Sequence, residues 1–333
     1  MNANGTWNTT GTPLPNDATV LQKLGQAVRA TVIAGGKSAW LPWRLRLFDE
    51  YVELLVRTGS SAPDDTDDRH AIIQCGAALF HLKLALKHLG NLGRVELFPD
   101  LAGTGLVARI HSGFTRANGM MEQVLFETMT NENNPFASTP ERPVDDSVIQ
   151  MLQNVAPDGK AWLEFSRCES SHTRLVELAD SGGDIMADHG QPSSEHSRIA
   201  QWAKPFLTFI VRTGDDRRIT VQPAPRAEEM TALATIKTKT DDKHGWLATG
   251  QMLACIKLQT KALGISSHIF DRLFQQRRVR EELRTRIGIG HKGFVQTIIG
   301  LGLRSAQWSD VASAKSWHSA DFEADTSLRS YRD

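Results

Sequence analysis

The stretch Ala34–Trp43, AGGKSAWLPW, carries a Gly-Lys-Ser triplet, the residue types that grip nucleotide phosphates when a glycine-rich loop runs into a helix. Such a loop also needs a glycine five positions ahead of the triplet's own, where this chain has Thr31, and two tryptophans and a proline stand where the first helical turns belong. GIGHKG (288–293) has the spacing of a dinucleotide loop, but a charged helical stretch precedes it and an apolar strand follows, so a helix-to-strand turn is expected. In QQRRVREELRTR (275–286), Glu281 and Glu282 interleave with the arginines, as on a solvated helix face rather than a nucleic-acid site. The histidines give no His-Glu-x-x-His spacing: His81 and His88 are seven apart, and Asp188, His189, Glu195 and His196 fall in a loop-like segment. No Gly-x-Ser-x-Gly elbow is present, so a serine hydrolase lacks its local cue.

Composition narrows the classes further. A chain of 333 residues is expected to form two domains, or two halves sharing one core. Its 38 basic and 38 acidic residues cancel, leaving no overall electrostatic footprint for nucleic acid or an anionic membrane. The first twenty residues lack the charged start and apolar run of a secretion signal, and no apolar stretch reaches membrane-spanning length, so a cytoplasmic protein with a small-molecule partner is expected. Cys75, Cys168 and Cys255 are too scattered for a disulfide framework or a thiolate zinc site and read as small apolar residues.

The elements that must position any chemistry emerge from an internal repeat. DDRHAIIQCGAALFHLKLALKHLG (67–90) aligns without gaps on DDKHGWLATGQMLACIKLQTKALG (241–264), a shift of 174 positions (67 to 241). Identical pairs include Asp67 and Asp241, Asp68 and Asp242, His70 and His244, Gly76 and Gly250, Lys83 and Lys257, and Gly90 and Gly264; Arg69 and Lys243 are a conservative pair. Both copies read as long helices with acidic starts and glycine ends. Gly76 and Gly250 lie inside them, where glycine costs about 1 kcal/mol relative to alanine, and a matched cost in both copies predicts close approach of another backbone.

Short alternating runs surround each helix: WRLRLF, YVELLVRTG, RVELFPD and LVARIHSG in the first half, and AWLEF, PFLTFIVRTG, ALATIKTKT and FVQTIIGLGL in the second. LVRTG (55–59) also resembles IVRTG (210–214), but at a different shift of 155. The connections are too short for crossover helices, so the fold class is α+β, with long helices packed on largely antiparallel sheets.

With these elements in place, the sequence resembles the nitroreductase-like flavoproteins, specifically the Acg-type branch in which two such halves are fused in one chain. The family's A-P-S-x-H-N-x-Q-P-W-R-F loop has its counterpart in AGGKSAWLPWRLRL, and its R-x-x-x-x-x-C-G-A-A-L helix in RHAIIQCGAALFHLKLALKHLG. ERPVDDSVIQML and GWLATGQMLACIKLQTKALGISS match two further segments, and the likeness spans most of residues 20–304. The resemblance implies FMN held between the halves, hydride transfer to a small organic acceptor, and a chain able to work as a monomeric pseudo-dimer, with a homodimer left open. It divides the chain into a disordered tail (1–18), a first half (19–118), a second half (119–310) with a cofactor-covering insertion near 166–200, and a C-terminal tail (311–333).

The cofactor motifs are altered. The family's asparagine position is Ala39 and its glutamine position Leu41, so two amides that read the flavin are missing, while Lys37 and Ser38 supply new donors. The family's T-N-R-x-P-F element, whose arginine grips the FMN phosphate, appears as TNENNPF with Glu132 and no arginine. By resemblance, the cofactor-contacting candidates are Lys37, Ser38, Asn131, Asn133, Asn134, His268 after the second long helix, and Arg304 after IIGLGL. Three readings follow: a flavin oxidoreductase, an FMN-binding protein without turnover, and a flavin-free scaffold with other small-molecule chemistry.

Overall fold

A computed structural model of the chain describes residues 14–15, 17–35, 41–57, 68–99, 105–115, 119–130, 144–155, 157–165, 173, 210–211, 220–221, 230–270, 274 and 293–303. In the first half, helix α1 (Val20–Ala34) leads into strands β1 (Trp43–Leu47) and β2 (Tyr51–Val56). The long helix α2 (Arg69–His88), strands β3 (Leu92–Leu97) and β4 (Leu106–Ser112), and helix α3 (Met120–Thr130) follow. The second half runs through α4 (Asp146–Gln153), β5 (Ala161–Phe165), β6 (Ile210–Val211), β7 (Thr220–Val221), β8 (Met230–Thr238), the long helix α5 (Lys243–Ala262), β9 (Ser267–Phe270) and β10 (Phe294–Leu303).

Two four-stranded sheets share one plan. Their orders are β1-β2-β4-β3 and β5-β8-β10-β9, with every neighbouring pair antiparallel. In each, two paired strands precede the long helix, the third strand takes an edge, and the fourth returns between the second and third. This is the α+β, two-half architecture read from the sequence. IVRTG is the exception: among the described residues its strand β6 pairs with β7 in a separate two-stranded sheet, whereas the strand equivalent to β2 is β8. The shift of 155 therefore joins two strands with different places in the fold.

The long helices end as their sequences predict. Gly90 and Gly264 take φ of +65° and +69°, left-handed values that glycine adopts without strain. Asn91 N–H donates to Leu86 O (2.8 Å) and Gly90 N–H to Lys87 O (3.0 Å), while Ile265 donates to Thr260 O (2.8 Å) and Gly264 to Lys261 O (3.2 Å). Both ends are thus Schellman motifs that use carbonyls the helix leaves over.

The helix starts differ despite their shared Asp-Asp. Asp242 is extended, and its carboxylate accepts from His244 N–H (2.9 Å) and Gly245 N–H (3.0 Å). Asp68 instead sits at φ 54° and makes no side-chain cap. Burial works against the Asp242 carboxylate, but the Gly245 amide, the Thr240 hydroxyl and the His244 amide outweigh it and hold its pKa below the usual carboxylate range. Asp242→Ala is expected to cost about 1 kcal/mol, read as a lower urea midpoint at unchanged slope. The wild-type advantage should shrink as pH falls through the depressed carboxylate pKa, because a carboxylate held below its unfolded value stabilises only while ionised.

The halves meet where α2 crosses α5. A Cβ on Gly76 would lie 2.9 Å from Gly250 Cα and 3.0 Å from the Leu247 carbonyl carbon; one on Gly250 would lie 2.8 Å from the Ile73 carbonyl carbon and 2.9 Å from Ala77 N. These are the close backbone approaches that the paired glycines predict. The contacts are reciprocal, since the same shift of 174 carries Ile73 to Leu247 and Gly76 to Gly250, as at a two-fold interface between copies. Trp246, Leu247 and Leu258 of α5 join the apolar cluster of the first half with Leu79, Leu82 and Phe126, so the halves share core rather than merely touching.

Helices cover one face of the first sheet. Its other face carries a row across all four strands, Arg46, Glu53, Arg109 and Glu96, each opposite the next in register. Arg109 donates to Glu53 Oε1 through Nη2 (2.8 Å) and Nε (3.2 Å), which neutralises a buried carboxylate. The alternating charges satisfy one another.

Candidate functional site

The polar groups with the strongest positional definition lie along the seam between the halves. Arg69, the first residue of α2, is 2% exposed and reaches into the second sheet. Its Nη2 donates to Gln296 O (2.6 Å) and Gln296 Oε1 (3.0 Å). The pairing of β10 with β8 slips between Val295 and Thr297, so Gln296 is a bulge residue and its carbonyl is turned out of the ladder. Gln296 Nε2 donates in turn to Thr238 Oγ1 (2.9 Å) and Asp241 Oδ1 (3.2 Å), and Trp246 Nε1 also donates to Asp241 Oδ1 (2.7 Å). This chain of bonds ties the start of α2 to the start of α5. At their other ends Lys87 pairs with Glu122 of α3, and Lys261 donates to Thr128 O (3.2 Å) on the same helix. The two long helices therefore run in the same sense, bracketed at both ends.

The position in α5 that matches Arg69 is Lys243, and its environment is different. Lys243 Nζ lies 4.7 Å from the centre of the Phe98 ring, and the His244 ring meets Phe98 edge-on at 4.8 Å. Phe98 holds φ 49°, a left-handed value that is unusual for a bulky residue. At the end of the seam where both helices start, one side is thus held by an arginine–amide–carboxylate chain and the matching side by an aromatic contact.

A second polar chain crosses the helix interface. Lys83 Nζ donates to Gln251 Oε1 (3.0 Å), and Gln251 Nε2 donates to Asp158 Oδ2 (2.9 Å). Burial lowers the Lys83 pKa; Asp158 opposes that shift, and Lys160 and Lys87 add to it. His81 is driven to a pKa of about 4, first by burial and then by the charge of Lys257 on α5, so it is neutral near pH 7. Burial pushes the Cys255 thiol up to about 12 and raises Cys75 as well, leaving both as protonated apolar groups. Cys168 lies outside the described residues. Neither the Cys75 nor the Cys255 thiol is prepared as a nucleophile.

Of the residues singled out from the sequence, His268 is described. It sits half-buried on the edge strand β9 opposite Gly300 of β10, its ring 4.7 Å from that of Phe270. Lys37, Ser38, Asn131, Asn133, Asn134 and Arg304 lie outside the described residues, as do Glu132 and most of GIGHKG. Near His268 the described residues form a corner. Gly302, two residues before Arg304, donates its N–H to Ser266 O (2.9 Å), and a Cβ on it would come within 3.0 Å of Val144 Cγ2, just ahead of α4. The start of β9, the end of β10 and the entry to α4 are brought together there.

The opening loop is informative at its described ends. Trp43 is 5% exposed in the first core, and a Cβ on Gly35 would lie 3.1 Å from its ring. Leu41, at the position where the resemblance expects a flavin-reading glutamine, packs against the same core. It offers a pyrimidine edge neither donor nor acceptor. Gly300 and Gly302 open no cradle either: Met230 and Phe270 occupy the space over Gly300, and Thr231 and Val144 that over Gly302. The described residues therefore do not fit the family's amide reading of FMN.

Sequence reasoning missed Arg69, Gln296 and Gln251 as seam groups. A signal existed for two of them: Arg69 heads the first repeat copy, and Gln296 is a lone amide in the apolar run FVQTII. What the sequence could not show is that they meet across 227 positions.

Two like-ordered sheets joined through crossed long helices, with polar groups buried along the seam, make this an α+β protein in two halves. Comparison gives its family. Two proteins from two strains of Mycobacterium tuberculosis, both provisionally named NAD(P)H nitroreductase, are each 38% identical to this chain over 310 residues, covering 87% of the chain and 87% of each relative. No family model matches the chain. The chain belongs to the nitroreductase-like superfamily. Among the described residues no helix is long and apolar enough to cross a membrane.

Proposed function

We propose that this protein is a nitroreductase-like oxidoreductase of the Acg-type fused branch, acting on a small organic acceptor with FMN as its redox group. The observation that carries this reading is the 38% identity, over 87% of both chains, to proteins named for NAD(P)H nitroreductase activity. Bound FMN would supply the hydride chemistry, leaving the protein to orient the reactants and exclude water. The matched repeats support descent from a duplicated half, with one cytoplasmic chain supplying both sides of a cavity and working as a monomer.

Leu41 in the apolar core favours a second reading, in which the scaffold has given up FMN for other small-molecule chemistry or holds it without turnover. If the first reading holds, flavin is bound through Lys37, Ser38, Asn131, Asn133, Asn134, His268 and Arg304 rather than through the family's amide pair and arginine.

An absorbance spectrum from about 300 to 550 nm separates these, taken on protein desalted after incubation with FMN. A retained flavin band that NADH or NADPH bleaches supports the oxidoreductase; a retained band that neither bleaches supports the carrier. A colourless protein that keeps no FMN refutes both.

A further inference from the structure

We propose that α1 is a self-association surface: two copies of this chain pair helix against helix, antiparallel about a two-fold axis, with Gly25 at the crossing. Among the described residues ten large apolar side chains are exposed, and all ten fall between residues 20 and 124; four of them, Val20, Leu21, Val32 and Ile33, are on α1. The helix already buries one stripe, Leu24, Ala27 and Ala30, in the core of the first half. Leu21, Gly25, Val28 and Val32 make a second, spaced four, three and four residues apart and therefore on one face. Leu21 and Val32 are each 44% exposed, with Gly25 and Val28 half-buried between them. An amphipathic helix needs one apolar stripe; a second is a seam left for another helix.

Gly25 points the same way. The mid-helix Gly76 and Gly250 are accounted for by the backbone pressed against them, whereas a Cβ on Gly25 would meet only Leu47 Cδ2, at 3.8 Å. Glycine in the middle of an exposed apolar stripe leaves room for a backbone from outside the chain. Charge selects a second copy and sets its direction. The charged residues of α1 are Lys23 and Arg29, and Asp17 is exposed two residues ahead of the Thr19 cap. Parallel copies would set Arg29 against Arg29. Antiparallel copies bring Arg29 of each to the level of Leu21 of the other, one turn from the other's Asp17, and oppose the two helix dipoles. The surface is thereby self-complementary, as a two-fold interface requires. Each chain keeps its own seam, so pairing leaves every copy a complete two-half unit, and nothing in the contact depends on flavin.

The test measures the mass of the full chain by light scattering at concentrations from about 1 to 100 μM, for wild type, Leu21→Arg and Leu21→Glu. Wild type should move to twice the chain mass as concentration rises. Leu21→Arg sets like charges against each other across the axis and should weaken pairing about a hundredfold, whereas Leu21→Glu meets Arg29 of the other copy and should lose about tenfold or less. Leu21 is exposed in the single chain, so both variants should keep the wild-type urea midpoint in dilute protein. Should Leu21→Arg not fold, Val32→Glu takes its place, since it brings a carboxylate to the level of Asp17 of the other copy and should also weaken pairing. Gly25→Ala should separate the two properties, with a more stable single chain in dilute solution and a weaker dimer. A chain that stays single up to about 100 μM, or a dimer that Leu21→Arg leaves unchanged, overturns the proposal. Equal weakening by arginine and glutamate at position 21 overturns the antiparallel pairing. A single chain that instead sediments with anionic phospholipid vesicles overturns it in favour of a lipid surface.

Discussion

Gly250→Ala is expected to destabilise the protein by about 3 kcal/mol, although alanine is the better helix former by about 1 kcal/mol. The added methyl would meet the backbone of α2, with the Ile73 carbonyl carbon at 2.8 Å and Ala77 N at 2.9 Å. No rotamer change relieves a backbone clash, so the helices must separate and the shared core of Trp246, Leu247 and Leu79 must loosen. Gly76→Ala should behave alike, because its contacts are the reciprocal ones. Gly25→Ala provides the opposite sign: Gly25 lies in α1, and a Cβ there would find only Leu47 Cδ2 at 3.8 Å, so a gain of about 0.5–1 kcal/mol is expected. Chemical denaturation of the three variants checks the set. A Gly250→Ala chain as stable as wild type would mean that the helices do not cross at these glycines.

Acid should unfold the protein partly through His81. Its folded pKa is about 4 and its ordinary value 6.5, because burial, and then the Lys257 charge, disfavour imidazolium. Above pH 6.5 neither state is protonated there and the contribution is flat. Between pH 6.5 and about 4 the unfolded chain binds a proton that the folded chain refuses, so stability falls as pH falls, by on the order of 3 kcal/mol across the window. Replacing the imidazole by an amide of similar reach, His81→Gln, should remove this part of the slope. The measurement is the unfolding free energy at a series of pH values; identical slopes for wild type and variant between pH 6.5 and 4 would contradict a buried neutral His81.

Both results concern the seam, and so does the functional question. Halves that assemble as identical copies must present the same surface twice, whereas two halves in one chain can differentiate the matching sides of their interface. Here, where both long helices start, one side has Arg69, Gln296 and Asp241, and the matching side has Lys243, His244 and Phe98. Charged, hydrogen-bonded closure fixes geometry through directional bonds, while an aromatic plug fills space.

The sequence by itself determined the main elements and the positions at which they match. Gly90 and Gly264 closed their helices because only a residue tolerant of positive φ completes a Schellman turn, and that requirement is local. The paired Gly76 and Gly250 announced a backbone contact because glycine in mid-helix carries a cost that something must offset. Alternating runs placed the strands of both main sheets, and the loss of an amide at Leu41 was legible in the loop motif itself.

Tertiary structure decided everything that depends on distant partners. Asp68 and Asp242 stand at matched positions, each after an aspartate and before a basic residue, yet of the two only Asp242 makes a side-chain cap, and the basic residues part ways, Arg69 bonding Gln296 and Lys243 lying against Phe98. The likeness of LVRTG to IVRTG looked like a repeat until strand pairing assigned β2 to a main sheet and β6 to a separate ribbon. Leu41 turned into the core, a choice set by the space beside the first sheet rather than by its loop. Periodicity and capping are written within a few residues of one another; burial of a charge, the path of a bulge and the closure of a seam are settled only when segments more than two hundred residues apart come together.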